Sequence, residues 1–169
     1  MALRIEPLKD HDRSRFACGV PTLDRYLREG ASQDVRRRVS NCFVAVEPTG
    51  KIAAFYTFAA SGIPLTDLPE AVTRRLPRYA LLPAGLVGRL AVDAAHRGQG
   101  LGGALVIDAA RRAASADPAV FALLVDAKDE AAAGFYRHLG FVRLASRPMS
   151  LFLPVATALR AGGAGWGAG

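Results

Sequence analysis

Residues 86–103 read LVGRLAVDAAHRGQGLGG, and the rest of the chain is organised around them. The run Leu86–Val92 is mostly apolar and stops at Asp93, as expected for a central strand. Several glycines follow, and then come apolar residues with helical spacing: Leu101, Ala104, Leu105 and Ala109. A helix that begins after a glycine-rich turn leaves backbone N–H groups pointing outward, and its dipole favours negative charge there. The stretch therefore predicts a phosphate-binding turn, to which Arg97 adds a full positive charge.

The spacing of the glycines selects among the phosphate-binding turns. A Walker A loop needs Lys-Ser or Lys-Thr after its last glycine, and neither pair occurs in the chain. A dinucleotide fingerprint needs Gly-x-Gly-x-x-Gly, which Gly98, Gly100 and Gly102 do not match. The pattern Arg97-x-x-Gly100-x-Gly102 instead resembles the pyrophosphate loop of the GCN5-related N-acetyltransferases, the GNAT family. This resemblance implies acetyl-CoA as acetyl donor and no metal, whereas the loop alone also allows a glycine-rich turn without a ligand.

Composition limits the class of protein. The 169 residues, of which 51% are hydrophobic and 22% charged, fit one globular domain with a substantial core. No apolar run reaches the ~18 residues of a membrane span, and residues 1–10 lack a signal-peptide core, so we expect a cytoplasmic protein. Cys18 and Cys42 have no metal-ligand spacing and are expected to be buried thiols. A net charge of +7, carried mainly by arginine, favours phosphate or nucleic-acid partners and disfavours cationic substrates.

The order of the elements predicts the fold class. Strands are predicted at Arg4–Pro7, Cys42–Val46, Ile52–Phe58, Leu86–Val92, Val120–Val125, Phe141–Arg143 and Met149–Leu153. Helices are predicted from Thr22, from Ala31 to about Arg38, after Pro69, from Gly102 to about Ala116, and from Asp129 to Leu139. Antiparallel strands followed by a strand–helix–strand–helix–strand unit indicate an α/β (α+β) protein, a mixed central β-sheet with helices on both faces. We expect residues 1–160 to form a single domain and residues 161–169 to be a flexible Gly/Ala tail.

A second motif lies in the segment Asp126–Phe141. It resembles the GNAT helix pattern Ala-x-x-Phe-Tyr-x-x-x-Gly-Phe, here Ala132 to Phe141. Phe135 and Leu139 are four residues apart and are predicted to face the core, with Tyr136 about 100° around the helix at the edge of a cleft. On its own, Tyr136 is an ordinary aromatic at the edge of a core. The resemblance implies that it is the catalytic acid that protonates the departing coenzyme A thiolate, a reaction open to a phenol of pKa ~10.

Motifs elsewhere resemble a subgroup, the GNAT toxins of bacterial type II toxin–antitoxin modules. They are Phe16-x-Cys18-Gly19, Leu23-Asp24-x-Tyr26-Leu27, Gln33-Asp34, Tyr56-Thr57, Leu76-Pro77-Arg78-Tyr79, Gly88–Asp93 and Val125–Lys128. The resemblance spans Leu3 to about Leu159. It implies an enzyme that acetylates the α-amino group of aminoacyl-tRNA and stops translation. It also implies a ribbon-helix-helix antitoxin, DNA contact only through that antitoxin, and a homodimer.

The resemblance and the charge pattern together nominate site residues. Cofactor contacts are expected at Leu90, Ala91, Val92, Arg97, Gly98, Gln99, Gly100, Leu101, Gly102, Gly103, Asp129 and Phe135. Contacts to tRNA are expected at Arg36, Arg37, Arg74, Arg75, Arg78 and Arg89. The cluster Arg36–Arg38 has a second interpretation, in which it only stabilises its helix, since cations in the last turn of a helix complement the helix dipole. Asp129 departs from the wider family pattern, in which an asparagine often contacts coenzyme A.

The expected mechanism needs little from the protein beyond binding and one acid. The strand Leu90–Val92 is expected to bind the pantetheine arm as an added strand, with a backbone N–H polarising the acetyl carbonyl. No carboxylate or histidine on the central strand is placed to act as a base, and Asp93 and His96 are expected to be structural. An α-amine of pKa about 7.7–8.0 has a useful unprotonated fraction at neutral pH without a base.

Two alternatives stay open from the sequence. One is an acetyltransferase of a protein N-terminus or a small amine. The other is a non-catalytic acetyl-CoA-binding module that acts as a regulatory partner.

Overall fold

The computed structural model describes residues 2–163. The predicted Gly/Ala tail lies mostly outside the described residues, and its first three residues belong to the last helix rather than to a flexible segment. The strands are β1 (Arg4–Pro7), β2 (Asn41–Val46), β3 (Ile52–Pro64), β4 (Leu81–Val92), β5 (Ala122–Asp126), β6 (Val142–Arg143) and β7 (Ser150–Pro154). The helices are α1 (Pro21–Arg25), α2 (Ala31–Arg36), α3 (Glu70–Thr73), α4 (Leu101–Ser115), α5 (Glu130–His138) and α6 (Val155–Gly163). No helix in this part of the chain has the length and apolar character needed to cross a membrane.

The strands form one seven-stranded sheet in the order β1-β2-β3-β4-β5-β7-β6. The pairs β1–β2 and β2–β3 are antiparallel, β4–β5 is parallel, and β5–β7 and β6–β7 are antiparallel. This is the mixed sheet that the sequence predicts. The hairpin between β2 and β3 turns at Gly50, which has a φ of +91° and whose N–H donates to the carbonyl of Glu47 at 2.8 Å.

Contacts divide the chain into two compact units. Among the described residues, the first unit contains residues 2–59 together with Gly88–Asp108, and the second contains Ala60–Val87 and residues 109–163. Each unit has its own apolar core. The first core consists of Leu8, Phe16, Cys18, Leu27, Ala31, Cys42, Val44, Val46, Ile52, Phe55 and Ala91. The second consists of Ile63, Leu68, Leu82, Ala84, Ala122, Leu124, Leu144 and Phe152. Cys18 and Cys42 are buried, free thiols, as predicted.

Two strands are longer than their sequence signals. β3 continues to Pro64 instead of ending at Phe58, and β4 begins at Leu81 instead of Leu86. Leu81, at the start of β4, packs beside Gly62 of β3: its side chain lies 3.6 Å from where a Cβ on Gly62 would be, an ordinary contact distance. Glycine and proline argue against a strand locally, and packing between the two chain segments overrides that preference here.

The first helical region is continuous, whereas the sequence predicts two separate helices, one from Thr22 and another from Ala31. A π-helical turn, Tyr26–Gly30, joins α1 directly to α2. At its other end α2 is shorter than predicted, since it ends at Arg36 and Arg38 has a left-handed φ of +60°. The N–H groups of Val39 and Ser40 then return to the carbonyl of Asp34, which closes the helix.

Candidate active site and nucleic-acid interface

The turn before α4 has the backbone geometry of a phosphate site. Gly98 and Gly100 both have a φ of +76°, a conformation that glycine adopts at little cost. Helix α4 begins immediately afterwards, and its first hydrogen bond is that from the N–H of Ala104 to the carbonyl of Gly100, at 3.1 Å. The N–H groups of the first helical turn, Leu101 to Gly103, therefore have no helical partner and are available to an anion. The residues of this turn fit the pyrophosphate of acetyl-CoA.

Arg97 has a structural partner that the sequence does not reveal. Its Nη2 donates to the carbonyl of Cys18 at 2.5 Å, while the side chain as a whole stays exposed. The guanidinium lies over Gly19, where an added Cβ would be 2.6 Å from Nη2. Gly19 itself has a φ of +91°. Arg97 therefore ties the glycine turn to the turn at Cys18–Gly19, which gives a physical reason for the Cys-Gly pair.

Asp93 and His96 are structural, as expected from the sequence. Asp93 is buried and accepts hydrogen bonds from the N–H groups of Ala17, at 3.1 Å, and Ala95, at 2.9 Å. Burial raises the pKa of Asp93, but these N–H groups and Lys51 outweigh it and hold the pKa below its usual value. The Nε2 of His96 lies 2.5 Å from the carboxylate of Glu47. These contacts fix the chain between the end of β4 and the glycine turn.

The C-terminal part of β4 runs past its parallel neighbour. The register of β4 with β5 covers Ala84–Val87, and β4 continues through Gly88–Val92. Just after the residues of β4 that pair with β5, the N–H of Arg89 donates to Oγ1 of Thr57 at 2.9 Å. The predicted pantetheine-binding residues Leu90, Ala91 and Val92 form the end of this extension, with Ala91 buried and its two neighbours half-buried. Backbone that continues beyond its partner strand suits an extended ligand bound by main-chain hydrogen bonds.

Tyr136 lies in the second unit, on α5, and is 7% exposed. Its ring packs edge-on against Phe135 and Phe141, with centroid distances of 5.1 Å and 5.4 Å. Burial raises the pKa of Tyr136 to about 12. The predicted orientation is wrong in detail: Tyr136 is the buried aromatic, and Phe135 is half-buried. Phe141, which follows the helix and is itself buried, is one of the two aromatic residues that pack against Tyr136.

Asp129 has a local role in the structure. It is the N-cap of α5, and its Oδ1 accepts the N–H of Ala132 at 2.8 Å. A capping aspartate stabilises a helix by about 0.5–2 kcal/mol relative to alanine. Helix capping thus explains this residue without a cofactor contact.

The predicted RNA-binding arginines fall into three environments. Arg36 and Arg37 lie at the end of α2, in the first unit. Arg74, Arg75 and Arg78 follow α3 in the second unit. Two of these, Arg74 and Arg78, line an open groove of about 490 Å³ with six other residues: Leu65, Thr66, Leu68, Glu70, Thr73 and Leu76.

Arg89 is different because it is half-buried and stacked. Its guanidinium carbon lies 3.7 Å from the centre of the Tyr26 ring, in the first unit. The hydroxyl of Tyr26 donates to Oδ2 of Asp34 at 2.8 Å. Burial, followed by this hydrogen bond, raises the pKa of Tyr26. The sequence contains Tyr26 and Asp34 as isolated motif residues, and only the structure connects them to Arg89.

No group of three or more metal-ligating side chains occurs among residues 2–163.

Comparisons with known proteins identify the family. The model of the acetyltransferase (GNAT) domain matches residues 38–143. The probable toxin TacT of Sinorhizobium fredii is 31% identical over 165 residues, 90% of this chain and 91% of that protein. A tRNA-acetylating toxin of Mycobacterium tuberculosis is 35% identical over 144 residues, 84% of this chain and 85% of that protein.

Solved structures of similar proteins extend the comparison. AtaT complexed with acetyl-methionyl-tRNAfMet has a TM-score of 0.84 and 30% identity, and covers 92% of this chain and 96% of its own. A mutant of KacT has a TM-score of 0.85 and 28% identity, with coverages of 95% and 99%. A tyrosine-to-phenylalanine mutant of AtaT, bound to the C-terminus of the antitoxin AtaR and to acetyl-CoA, has a TM-score of 0.76 and 27% identity, with coverages of 94% and 96%. With its mixed sheet, its glycine turn before α4 and these relatives, the chain belongs to the GNAT acetyltransferase family.

Proposed function

We propose that this protein is a toxin N-acetyltransferase, which transfers the acetyl group of acetyl-CoA to the α-amino group of aminoacyl-tRNA and so blocks translation. The observation that carries the proposal is the similarity along most of the chain to proteins named for tRNA acetylation. The glycine turn before α4 supports the acetyl-CoA half, because its free N–H groups suit a pyrophosphate. The exposed arginines support the RNA half, because guanidinium groups favour phosphate.

Different residues of the chain bind different parts of acetyl-CoA. The backbone N–H groups of the turn from Gly98 to Gly103 hold the pyrophosphate, and Arg97 anchors that turn while keeping an exposed charge beside it. The backbone of Leu90–Val92 binds the extended arm by main-chain hydrogen bonds. Phe135, half-buried on α5, offers an apolar contact. Asp129 acts in this scheme by starting α5 in the right place.

Tyr136 is the proposed catalytic acid. Acetyl-CoA supplies the acetyl group as an activated thioester. Tyr136 holds its proton on Oη throughout the neutral range, because burial raises the pKa of Tyr136 to about 12. It gives that proton to the sulfur that departs when the C–S bond breaks. The attacking α-amine, with a pKa of about 7.7–8.0, forms the new C–N bond from its unprotonated form. The nitrogen then loses one proton to solvent, and Tyr136 regains its own proton from solvent, so that the step balances.

The same proposal includes the partners and the place of action. The AtaT mutant bound to the C-terminus of its antitoxin supports a protein antitoxin for this chain as well. We assign that antitoxin to the ribbon-helix-helix class and leave operator DNA to it. We also propose that the protein is a homodimer and that residues 1–160 work as one domain. We propose that it acts in the cytoplasm, since aminoacyl-tRNA is a cytoplasmic substrate.

A labelled-acetyl transfer assay tests the proposed function. The purified protein is incubated with radiolabelled acetyl-CoA and one acceptor at a time: aminoacyl-tRNA, deacylated tRNA, α-formylated aminoacyl-tRNA, a peptide with a free N-terminus, or a small amine. We expect label only on aminoacyl-tRNA with a free α-amine, and we expect mild alkali to release it with the amino acid. Transfer only to the peptide or the small amine would contradict the proposal, and acetyl-CoA binding without transfer to any acceptor would favour a regulatory module.

A further inference from the structure

Arg89 combines burial with unused hydrogen-bond donors. The side chain is half-buried, and its backbone N–H is taken by Thr57. Within residues 2–163, stacking on Tyr26 is the contact that the structure records for the guanidinium, which has neither a carboxylate nor a carbonyl partner there. A guanidinium has five N–H donors in a planar fork, and a ring face satisfies none of them. A partly desolvated cation with free donors is therefore ready to bind an anion.

The Tyr26 ring is held from several sides. Its hydroxyl donates to Asp34, further along the same helical region, at 2.8 Å. Gly30 lies against the ring so closely that an added Cβ would be 3.0 Å from Cδ2 of Tyr26. The ring also stacks near Phe55, which is fully buried, with centroids 6.4 Å apart and planes at 23°. The ring therefore presents a fixed face to Arg89.

We propose that Tyr26, fixed by Asp34 and Gly30, is a positioning residue that orients the Arg89 guanidinium to bind a phosphate of the tRNA substrate. This inference rests on the proposed function and deepens it. A planar guanidinium lying flat on an aromatic ring keeps its N–H edge free, so stacking and phosphate binding are compatible. An unrestrained arginine would lose more side-chain entropy on binding, because its rotamers would have to be fixed at that moment.

Single and double variants test whether Tyr26 acts through Arg89. Dissociation constants for aminoacyl-tRNA are measured for R89A, R89K, Y26L, Y26F and the double variant Y26L/R89A, with acetyl-CoA affinity measured by calorimetry on each. We expect R89A to weaken tRNA binding about tenfold or more, as expected for the loss of a charge-assisted hydrogen bond, and to lower the salt slope by about one. Y26L should lose most of the same affinity, and Y26F, which keeps the ring face, should lose little. The double variant should bind tRNA no more weakly than R89A alone.

R89K keeps the proposal testable if Y26L proves unstable, because it leaves the Tyr26 ring in place. Lysine retains the charge but lacks the planar fork, so R89K should bind tRNA nearly as weakly as R89A. NMR of the Arg89 Nε–Hε group gives a reading without any ligand: hindered side-chain rotation in the wild type and in Y26F, and faster rotation in Y26L.

Several results would overturn the positioning role. One is wild-type tRNA affinity in R89K or in Y26L. Another is that Y26L lowers tRNA affinity by the same factor whether or not R89A is also present. A third is that R89A weakens the binding of acetyl-CoA but not that of tRNA. The labelled-acetyl transfer assay distinguishes failure of the positioning role from failure of the proposed function. If the wild type binds tRNA through Arg89 but transfers no acetyl group, the function fails and the positioning role stands; if it binds no tRNA, both fail.

Discussion

Among single residues, Tyr136 carries the most chemistry in the proposed mechanism. Tyr136→Phe removes one hydroxyl and keeps the ring, so the edge-on contacts with Phe135 and Phe141 should survive. Loss of a positioned acid lowers a rate by about 10²–10⁴-fold. We therefore expect the variant to fold, to bind acetyl-CoA with unchanged affinity, and to acetylate aminoacyl-tRNA at a rate lower by that factor. Calorimetry measures the affinity for acetyl-CoA, and the labelled-acetyl assay measures the rate of transfer. Transfer at the full rate would mean that Tyr136 serves only as a packed aromatic side chain.

The raised pKa of Tyr136 has a consequence for the pH profile of the reaction. With a pKa of about 12, the phenol keeps its proton far above neutral pH, so the acid should not limit the rate in the alkaline range. The α-amine loses its proton near its pKa of about 7.7–8.0 and becomes reactive. We therefore expect kcat/KM, from initial rates, to rise through this range and then stay level up to about pH 10. A fall beginning near pH 9 would indicate an acid with an ordinary pKa.

Single residues also show where sequence reasoning succeeds and where it stops. The glycine pattern correctly predicts an unusual backbone, since Gly98 and Gly100 both have positive φ. Helical spacing does not predict that Tyr136 is more buried than Phe135, because Tyr136 also packs against Phe141, which lies outside the helix. The hydrogen bond from Arg97 to Cys18 joins residues far apart in sequence, and no local pattern contains that information.

At the level of elements, the glycine turn and α4 form the proposed cofactor site. Gly100→Val places a β-branched side chain at a φ of +76°, which is a costly conformation for any such residue. We expect acetyl-CoA affinity to fall below detection by calorimetry, because the backbone N–H groups can no longer converge. Gly134→Ala is the matched control: it lies in α5 with no atom near the added Cβ, and should stabilise the protein by about 0.5–1 kcal/mol. Unchanged affinity in the valine variant would refute the assignment of the turn.

The segment after α3 makes a second prediction at this level. Arg74 and Arg78 line one groove, so the double variant Arg74→Ala/Arg78→Ala should keep the fold and acetyl-CoA binding. If each contacts one phosphate, the slope of log Kd for tRNA against log salt should fall by about two. Arg160→Ala, on the exposed side of α6, is the control and should leave the slope unchanged. An identical slope in both variants would make the groove arginines ordinary surface charge.

Local patterns predict the existence of the elements better than their extent. Apolar runs correctly predict β2, β5 and β7, which are buried almost throughout. They do not predict that β3 reaches Pro64, because Gly62 and Pro64 disfavour a strand locally. The π-helical turn Tyr26–Gly30 is equally absent from the sequence signal, since glycine disfavours a helix interior, and the structure instead packs Gly30 against the Tyr26 ring.

For the molecule as a whole, the order of strands and helices is enough to predict a mixed sheet, since short hairpins and strand–helix–strand units each allow few arrangements. The division into two compact units is not predicted by the sequence. β3 and β4 each contribute to both units, so the boundary does not coincide with a linker or a change in composition. No stretch of sequence marks it.

The net charge of +7 leads to a prediction for the intact protein. The proposed RNA contacts are arginines, and displacement of condensed counterions from RNA by such groups makes affinity strongly salt-dependent. If all the proposed arginines contact phosphate, the slope of log affinity against log salt approaches about −5, whereas fewer contacts reduce it in proportion. Acetyl-CoA is held mainly by backbone N–H groups in this scheme, so its affinity should change much less. We therefore expect the KM for aminoacyl-tRNA to rise steeply with potassium chloride at saturating acetyl-CoA, with kcat nearly constant. A kcat that falls in parallel, or a KM for acetyl-CoA with the same slope, would mean that salt acts on the fold or on the cofactor site and that the arginines do not form the RNA interface.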